Sequence, residues 1–370
     1  MRVLLLSAYA AQSHLYWQRG LREMFPAWEW CELNLPPRHF SWRVRGNPLY
    51  WSLAERELLE QQYQLLIATS MVDLATLRGL VPELARVPSL LYFHENQFEF
   101  PQDRQQHSLL EAQMVSLYSA LAADAVVFNS AFNHDSFFQG CKQLLGKLPD
   151  YVPAGLVSRL KQKSTVLPVP LLPHTNESGK AWPERPGGDT LRILWSARFE
   201  HDKGGEGLHR VLAGLEQIGL DYQLALTGQQ FRTSPAVFSQ IRSQYQHRLV
   251  QFGYVESSGQ YRALQQGADL VLSTAVHEFQ GLAVMQAVSA GCVPVVPDRL
   301  AYRELYPEHC RYHSCPHEPE SEAAAAVALI QTLAKQRPAP PDMSAFGMSA
   351  LKPRYQALLA SLQDSQPPSS

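Results

Sequence analysis

No apolar run in this chain approaches the length a bilayer crossing needs, so no membrane contact is expected. There is also no excess of charge. Lys and Arg total 32 against 34 Asp and Glu, a formal net charge of -2, and nothing draws the whole chain to nucleic acid or acidic lipid. A polyanionic partner must therefore meet a local patch. Cysteine is sparse: Cys31, Cys141, Cys292, Cys310 and Cys315 form no CxxC pair, and their odd number argues against a disulfide framework. That suits a reducing cytoplasm. The run His309, Cys310, His313, Cys315, His317 lacks paired metal-ligand spacing, and no metal is expected there. The opening MRVLLLSAYAAQ has a signal-like Ala-Tyr-Ala, but its apolar core Val3–Leu6 is too short and reads as a first strand.

What is present is enough apolar residue, 45% of 370, to bury a large core in two domains. Short apolar runs alternate with helical patterns at 3–7, 65–69, 90–94, 125–129 and 165–169. After a Pro-rich stretch, 168–186, the rhythm restarts at 191–196, 223–227, 249–254, 269–273 and 293–297. Strands spaced by crossover helices predict parallel sheets. The expected architecture is α/β: two Rossmann-like doubly wound domains, residues 1–175 and 187–345, facing a cleft. A moderately amphipathic helix is expected over 349–362, and the tail 363–370 is expected to be disordered.

The stretch 270–297 is the most informative. A buried strand ends near Ser273, a loop carries His277 and Glu278, and a helix opens near Gly281 and closes at Gly291. A helix N-terminus offers backbone N–H groups to a phosphate, while a carboxylate just ahead of it can take sugar hydroxyls. In the loop after the first strand of the second domain, Arg198 and Lys203 can clamp a diphosphate and neutralise it as a leaving group. Gly228 ends another strand and permits close backbone approach. His94, Glu95 and Asn96 follow the strand 90–94, where a doubly wound sheet presents its ligand edge. Taken singly, each has an ordinary structural reading: surface charge, packed histidine or turn glycine.

The order Glu278-Phe-Gln-Gly281, with Ala287, Gly291 and Pro294 further on, resembles the donor signature of retaining family 4 glycosyltransferases of the GT-B fold. Arg198 and Lys203 match that family's Arg-x-x-x-x-Lys diphosphate clamp. Gln286 stands where the family has a second Glu for the nucleotide ribose, and Ala10-Ala11-Gln12 stands where it has a Gly-rich loop. Leu91-Tyr-Phe-His-Glu-Asn-Gln97, Trp42-Arg43-x-Arg45, Val127-Phe-Asn129-Ser-Ala-Phe-Asn133 and Ser273-Thr-Ala-x-His-Glu278 are similar to the tRNA-queuosine α-mannosyltransferases and their relatives.

That resemblance implies transfer of mannose from GDP-mannose to the queuosine of a tRNA anticodon, with retention and no cofactor beyond the nucleotide sugar. It assigns catalysis to Arg198, Lys203, Glu278 and His94. Donor contacts fall to Ser13, His14, Gly228, Phe279, Gln280, Gly281, Leu282 and Gln286. Acceptor or tRNA contacts fall to Trp42, Arg43, Arg45, Glu95, Asn96, Asn129, Lys161 and Lys163. The aromatic and basic interleaving near Trp42 suits stacking on splayed bases. Two other readings remain at this point: a lipid or glycan acceptor on the same fold, and a tRNA- or nucleotide-sugar-binding protein without turnover.

Overall fold

A computed structural model describes residues 1–99, 109–173, 181–185, 189–231 and 234–364. Asn176, Gly179 and Lys180 of the expected linker, and 365–370 of the expected tail, lie outside the described residues. The chain forms two compact units, residues 1–172 with 346–370, and residues 173–345.

The first unit contains strands β1 (Arg2–Ser7), β2 (Glu29–Asn34), β3 (Leu65–Thr69), β4 (Ser89–Phe93), β5 (Ala125–Phe128) and β6 (Ser164–Val166). They pair in the order β2-β1-β3-β4-β5-β6, all parallel. Strands β1, β3, β4 and β5 are almost wholly buried runs of Val, Leu, Ile, Phe and Ala, as expected where helices cover both faces of a parallel sheet. The second unit holds β7 (Leu191–Ser196), β8 (Tyr222–Thr227), β9 (Leu249–Gly253), β10 (Leu270–Leu272), β11 (Val293–Pro297) and β12 (Arg311–Tyr312). Its order is β12-β11-β10-β7-β8-β9, again parallel throughout.

Each order reverses direction once, between β1 and β3 in the first unit and between β7 and β10 in the second. The loops leaving the carboxyl ends of those strands diverge and open a crevice, where doubly wound sheets bind ligands. The sheet topology therefore singles out the loops after β7 and β10 in the second unit.

Three sequence expectations are refined. Strands β2 and β12 gave no apolar signal. The first is a half-exposed edge, Glu-Trp-Cys-Glu-Leu-Asn, and the second is two residues long. The start of the expected linker is ordered on the first unit: Val169, Leu171 and Leu172 are buried, and Leu171 bridges to Gly347. The helix Met348–Asp364 belongs to that same unit. The Tyr355 hydroxyl accepts from Trp17 Nε1 at 3.0 Å and donates to the Pro168 carbonyl at 3.0 Å. Leu351 and Leu359 are buried beside it.

Candidate active site

In the second unit, the chain leaves β7 and buries Phe199. It then makes one tight turn, His201–Lys203, and passes through Gly204 at φ 72° into the helix Gly205–Gln217. The loop after β10 runs Ser273–Glu278 and passes through Gly281 at φ 73° into the helix Leu282–Ser289. Backbone bonds stitch the two loops together. Val276 and His277 both donate to the Asp202 carbonyl, at 2.9 and 3.0 Å. The Thr274 hydroxyl donates to the Lys203 carbonyl at 3.2 Å and accepts from Trp195 Nε1 at 3.1 Å.

The result is a fixed ammonium. Lys203 Nζ lies 3.1 Å from Glu278 Oε2, 3.1 Å from Asp202 Oδ2 and 3.0 Å from the His277 carbonyl, with its side chain 11% exposed. Burial alone would lower the Lys203 pKa, but Glu278 and Asp202 outweigh it and hold the group above its ordinary value. Burial likewise works to raise Glu278, and the Lys203 charge and hydrogen bond reverse that, helped by the Gly281 N–H. Both groups are therefore charged at neutral pH. The Glu278 contribution to stability holds above the ordinary carboxylate pKa and is lost as pH falls through its depressed value.

Glu278 Oε1 accepts from the Phe279 N–H at 3.1 Å, which fixes the carboxylate in the loop just ahead of the helix that Gly281 opens. A cavity of about 20 Å³ lies behind the pair, lined by Ser196, Ser273, Gly281 and Tyr302 as well as Lys203 and Glu278. The Tyr302 hydroxyl is hydrogen-bonded to Ser273 Oγ at 2.8 Å. A Cβ on Gly281 would meet the Tyr302 ring at 2.8 Å, so glycine is required by packing as well as by φ.

Arg198 sits on the same loop, close enough that its charge opposes the protonation of Lys203. Its guanidinium is paired with Glu200 at 3.0 Å. Lys203 and Glu278 thus line one cavity, and Arg198 lies near Lys203 on the same loop with its side chain more exposed. Asp202 and Glu200, the anions that hold the two cations, were not singled out from the sequence. Their place beside Lys203 and Arg198 in the run 198–203 was the available signal.

Several expected donor contacts are taken by the fold. Phe279 and Gln280 are buried, Phe279 edge-on to His277 and Gln280 Nε2 directed at the Met285 thioether Sδ at 3.5 Å. A Cβ at Gly228 would lie 1.7 Å from the Ala197 carbonyl oxygen, so the crossing of two loops requires this glycine. Leu282 and Gln286 are half-buried, and among the described residues the Gln286 amide makes no hydrogen bond. Restoring a carboxylate with Gln286→Glu should tighten donor binding about fivefold, the worth of charge assistance to one hydroxyl bond. Titration calorimetry with nucleotide sugars checks this, and unchanged affinity and preference would remove position 286 from the donor site.

The first unit carries a second cluster. The helix Gln12–Met24 follows β1 through Ala10 and Ala11 at ordinary backbone angles, so this turn needs no glycine. Ser13 is exposed in its first turn, where helix N–H groups lack intrahelical partners. His14 stacks on His94, ring centroids 4.1 Å apart. Its Nδ1 lies 3.3 Å from Ser7 Oγ and its Nε2 3.3 Å from Glu95 Oε2. His94 is also packed against Trp17 and Tyr92. Burial, then the neighbouring His14, pushes its pKa well below the ordinary value, so it is neutral at pH 7. A histidine with a depressed folded pKa binds its proton more readily when unfolded. Stability should therefore fall as pH drops below about 6.5. Replacing His94 with Phe should flatten that slope in pH-dependent thermal unfolding.

Asn96 and Asn129 have their side-chain amides bonded within the first unit. Asn96 is fully buried, donating to Asn133 Oδ1 at 2.8 Å and Ser136 Oγ at 2.9 Å, and accepting from the Phe98 N–H at 3.0 Å. Asn129 Nδ2 donates to the His94 carbonyl at 2.8 Å, and Asn133 Nδ2 donates to Asn129 Oδ1 at 2.8 Å. Buried amides bonded this way fix the turn that carries His94 and Glu95. Their part is positioning.

The expected RNA contacts divide. Trp42, Arg43 and Arg45 lie on the helix Phe40–Ala54 rather than on a loop. Trp42 is 55% exposed, and a Cβ at Gly46 would strike its ring at 2.5 Å, so the glycine lets the indole lie back on the helix with one face open. Arg43 Nε donates to the Pro36 carbonyl at 3.3 Å. Lys163 is committed elsewhere: its ammonium donates to the Leu121 and Ala123 carbonyls, just before β5 begins. Burial lowers its pKa. That edge of the sheet is opposite to the one bearing His14 and His94. Lys161 stays exposed, with Nζ 5.3 Å from the Phe138 ring centroid. Among the described residues no group of three His, Cys, Asp or Glu side chains could hold a metal ion. No described helix is long and apolar enough to cross a membrane.

Comparison with known proteins places this geometry. Residues 2–171 match the family described as tRNA-queuosine alpha-mannosyltransferase N-terminal, and residues 155–299 match Family 4 Glycosyltransferase in conflict systems. The tRNA-queuosine alpha-mannosyltransferase of Drosophila melanogaster is 32% identical over 286 residues, covering 76% of this chain and 75% of that protein. Among solved structures, the sucrose-phosphate synthase of Thermosynechococcus elongatus superposes with TM-score 0.68 at 15% identity, covering 99% of this chain and all of that one. Anabaena HepE in complex with UDP-glucose gives 0.60 at 14% identity, covering 98% and 100%. At such identities these likenesses speak to the fold, which is GT-B. With its fold and a third of its aligned residues shared over three quarters of a curated relative, the chain belongs to the tRNA-queuosine alpha-mannosyltransferase family.

Proposed function

We propose that this protein is a retaining mannosyltransferase that moves mannose from GDP-mannose to the queuosine of a tRNA anticodon, in the cytoplasm. The observation that carries the reading is the Lys203 ammonium held 3.1 Å from Glu278 at the opening of the helix Leu282–Ser289. In this reading the donor diphosphate lies against Lys203 and Arg198, and the sugar hydroxyls turn toward Glu278. The cations stabilise negative charge that grows on the diphosphate as the glycosidic bond breaks. The departing phosphate oxygen then takes the proton of the attacking hydroxyl on the same face, which preserves the anomeric configuration. The fixed Lys203 needs little reorganisation, because its partners already hold it at the crevice. Two cations supply the neutralisation, so chelation is expected to leave transfer unchanged.

The acceptor assignment is supported by the Drosophila relative, whose name states a tRNA-queuosine acceptor and mannosyl transfer. The test is nucleoside mass analysis after incubation of queuosine-containing and queuosine-free tRNA with GDP-hexoses. One added hexose on queuosine, from GDP-mannose alone, is the expected result. Binding without mass gain would overturn the catalytic reading, and gain on a glycan or lipid instead would overturn the acceptor.

A further inference from the structure

Three helices of the first unit, Phe40–Ala54, Leu74–Leu80 and Leu109–Ala122, pack against one another and leave a recess of about 240 Å³ between them. It is lined by Arg45, Asp73, Thr76, Glu111, Met114 and Tyr118, among others. Asp73 is buried and fully engaged. Its Oδ1 accepts from the Thr76 N–H at 3.1 Å, and its Oδ2 from the Thr76 hydroxyl at 2.8 Å and Arg45 Nη1 at 2.5 Å. The guanidinium is thereby locked, and its Nε meets Glu111 Oε1 at 3.0 Å. Among the described residues Glu111 has no other partner, and its side chain is half exposed. The recess therefore presents an open carboxylate edge beside a fixed guanidinium edge, between the thioether of Met114 and the half-exposed ring of Tyr118.

Two acids against one cation make the recess net negative, so it repels a phosphate. A neutral, flat group that both donates and accepts is the complementary ligand. Among the four bases, guanine alone gives a carboxylate two neighbouring donors, N1–H and N2–H2, beside an acceptor, O6, for a guanidinium. Recognition of a splayed base on that edge, with packing against an aromatic ring, is the usual mode in single-stranded RNA loops. The recess also adjoins the turn that carries His94 and Glu95. Gln113 Nε2 donates to the Gln97 carbonyl at 3.2 Å, and Asn47 Nδ2 reaches the Met71 carbonyl, next to the Asp73 cap.

We propose that this recess is a base-binding subsite that takes the Watson–Crick edge of a guanine-type base of the acceptor RNA through Glu111 and Arg45. The proposal rests on the tRNA reading above. Queuosine's own base is a deazaguanine with that edge, and an unmodified guanine of the same loop offers it too. The two sources separate by experiment.

Steady-state transfer is measured for wild type, Glu111→Gln and Tyr118→Ala, with queuosine-containing tRNA and with free queuosine nucleoside as acceptors. Thermal unfolding verifies that each variant is folded, as expected for half-exposed positions. Glu111→Gln should raise KM for tRNA about tenfold, the worth of one good base contact, with kcat changed far less. A parallel rise with the nucleoside identifies the modified base as the occupant. A rise confined to tRNA, and matched in wild type by replacing one loop guanine, identifies that guanine. Unchanged KM in both variants while wild type transfers normally would overturn the subsite and leave the transferase reading standing. Failure of wild type to modify any queuosine-containing tRNA would sink that reading and the subsite with it.

Discussion

Lys203→Met should reduce mannosyl transfer about a thousandfold and destabilise the second unit by about 3 kcal/mol. The first figure is the loss expected when a preorganised charge facing a developing anion is removed. The second follows from leaving two largely buried carboxylates, Glu278 and Asp202, without their shared cation. The two effects separate by measurement. Single-turnover transfer below the melting range reads the first, and denaturant unfolding reads the second. Adding Glu278→Gln to Lys203→Met should recover part of the stability, because it removes one of the stranded charges, and none of the activity. A single mutant that keeps more than a tenth of wild-type transfer would show that the diphosphate is neutralised elsewhere.

Gly204→Ala should be more damaging to the fold than any change of side-chain chemistry in the site. Gly204 lies at φ 72°, and a Cβ there would stand 1.8 Å from the Thr274 carbonyl oxygen. No rotamer relieves a clash of backbone with Cβ, so the turn carrying Lys203 must separate from the loop carrying Glu278. The expected loss exceeds about 3 kcal/mol, combining left-handed strain with disruption of the loop-to-loop bonds. Gly219 provides the control. It has nearly the same φ, 66°, but nothing lies within 4 Å of its Cβ position. Gly219→Ala should cost only about 1 kcal/mol. Equal losses in the two variants, measured by thermal unfolding, would show that contact with Thr274 is unimportant.

What could be read from the chain follows from where its constraints are local. Most of the described strands were visible because a strand buried on both faces must be a continuous apolar run, as in Leu65–Thr69 and Leu191–Ser196. Edge strand β2 escaped because one side faces solvent and its residues are mixed. Glu278 and Gly281 were legible because a carboxylate and a helix-opening glycine stand at a fixed short spacing, and Lys203 because the run 198–204 resembles the family's diphosphate clamp. The pairing of Lys203 with Glu278 was not, since it depends on how two loops 75 residues apart are stitched. Asn96 and Lys163 show the converse. Their residue types suggested ligand contact, while long-range burial had already committed one to Asn133 and the other to two carbonyls. Likewise Arg45 was singled out by its neighbours Trp42 and Arg43, but the acids that hold it, Asp73 and Glu111, lie on other helices.

The helix Met348–Asp364 closes the first unit through Tyr355, although nearly the whole second unit is encoded between them. During synthesis, the surface around Trp17 must wait 338 residues for its covering, which at roughly 5–20 residues per second is some tens of seconds. The second unit, continuous in the chain, can fold during that interval. The first unit is therefore completed only after the second has been made, with its earliest-made surface the last to be sealed.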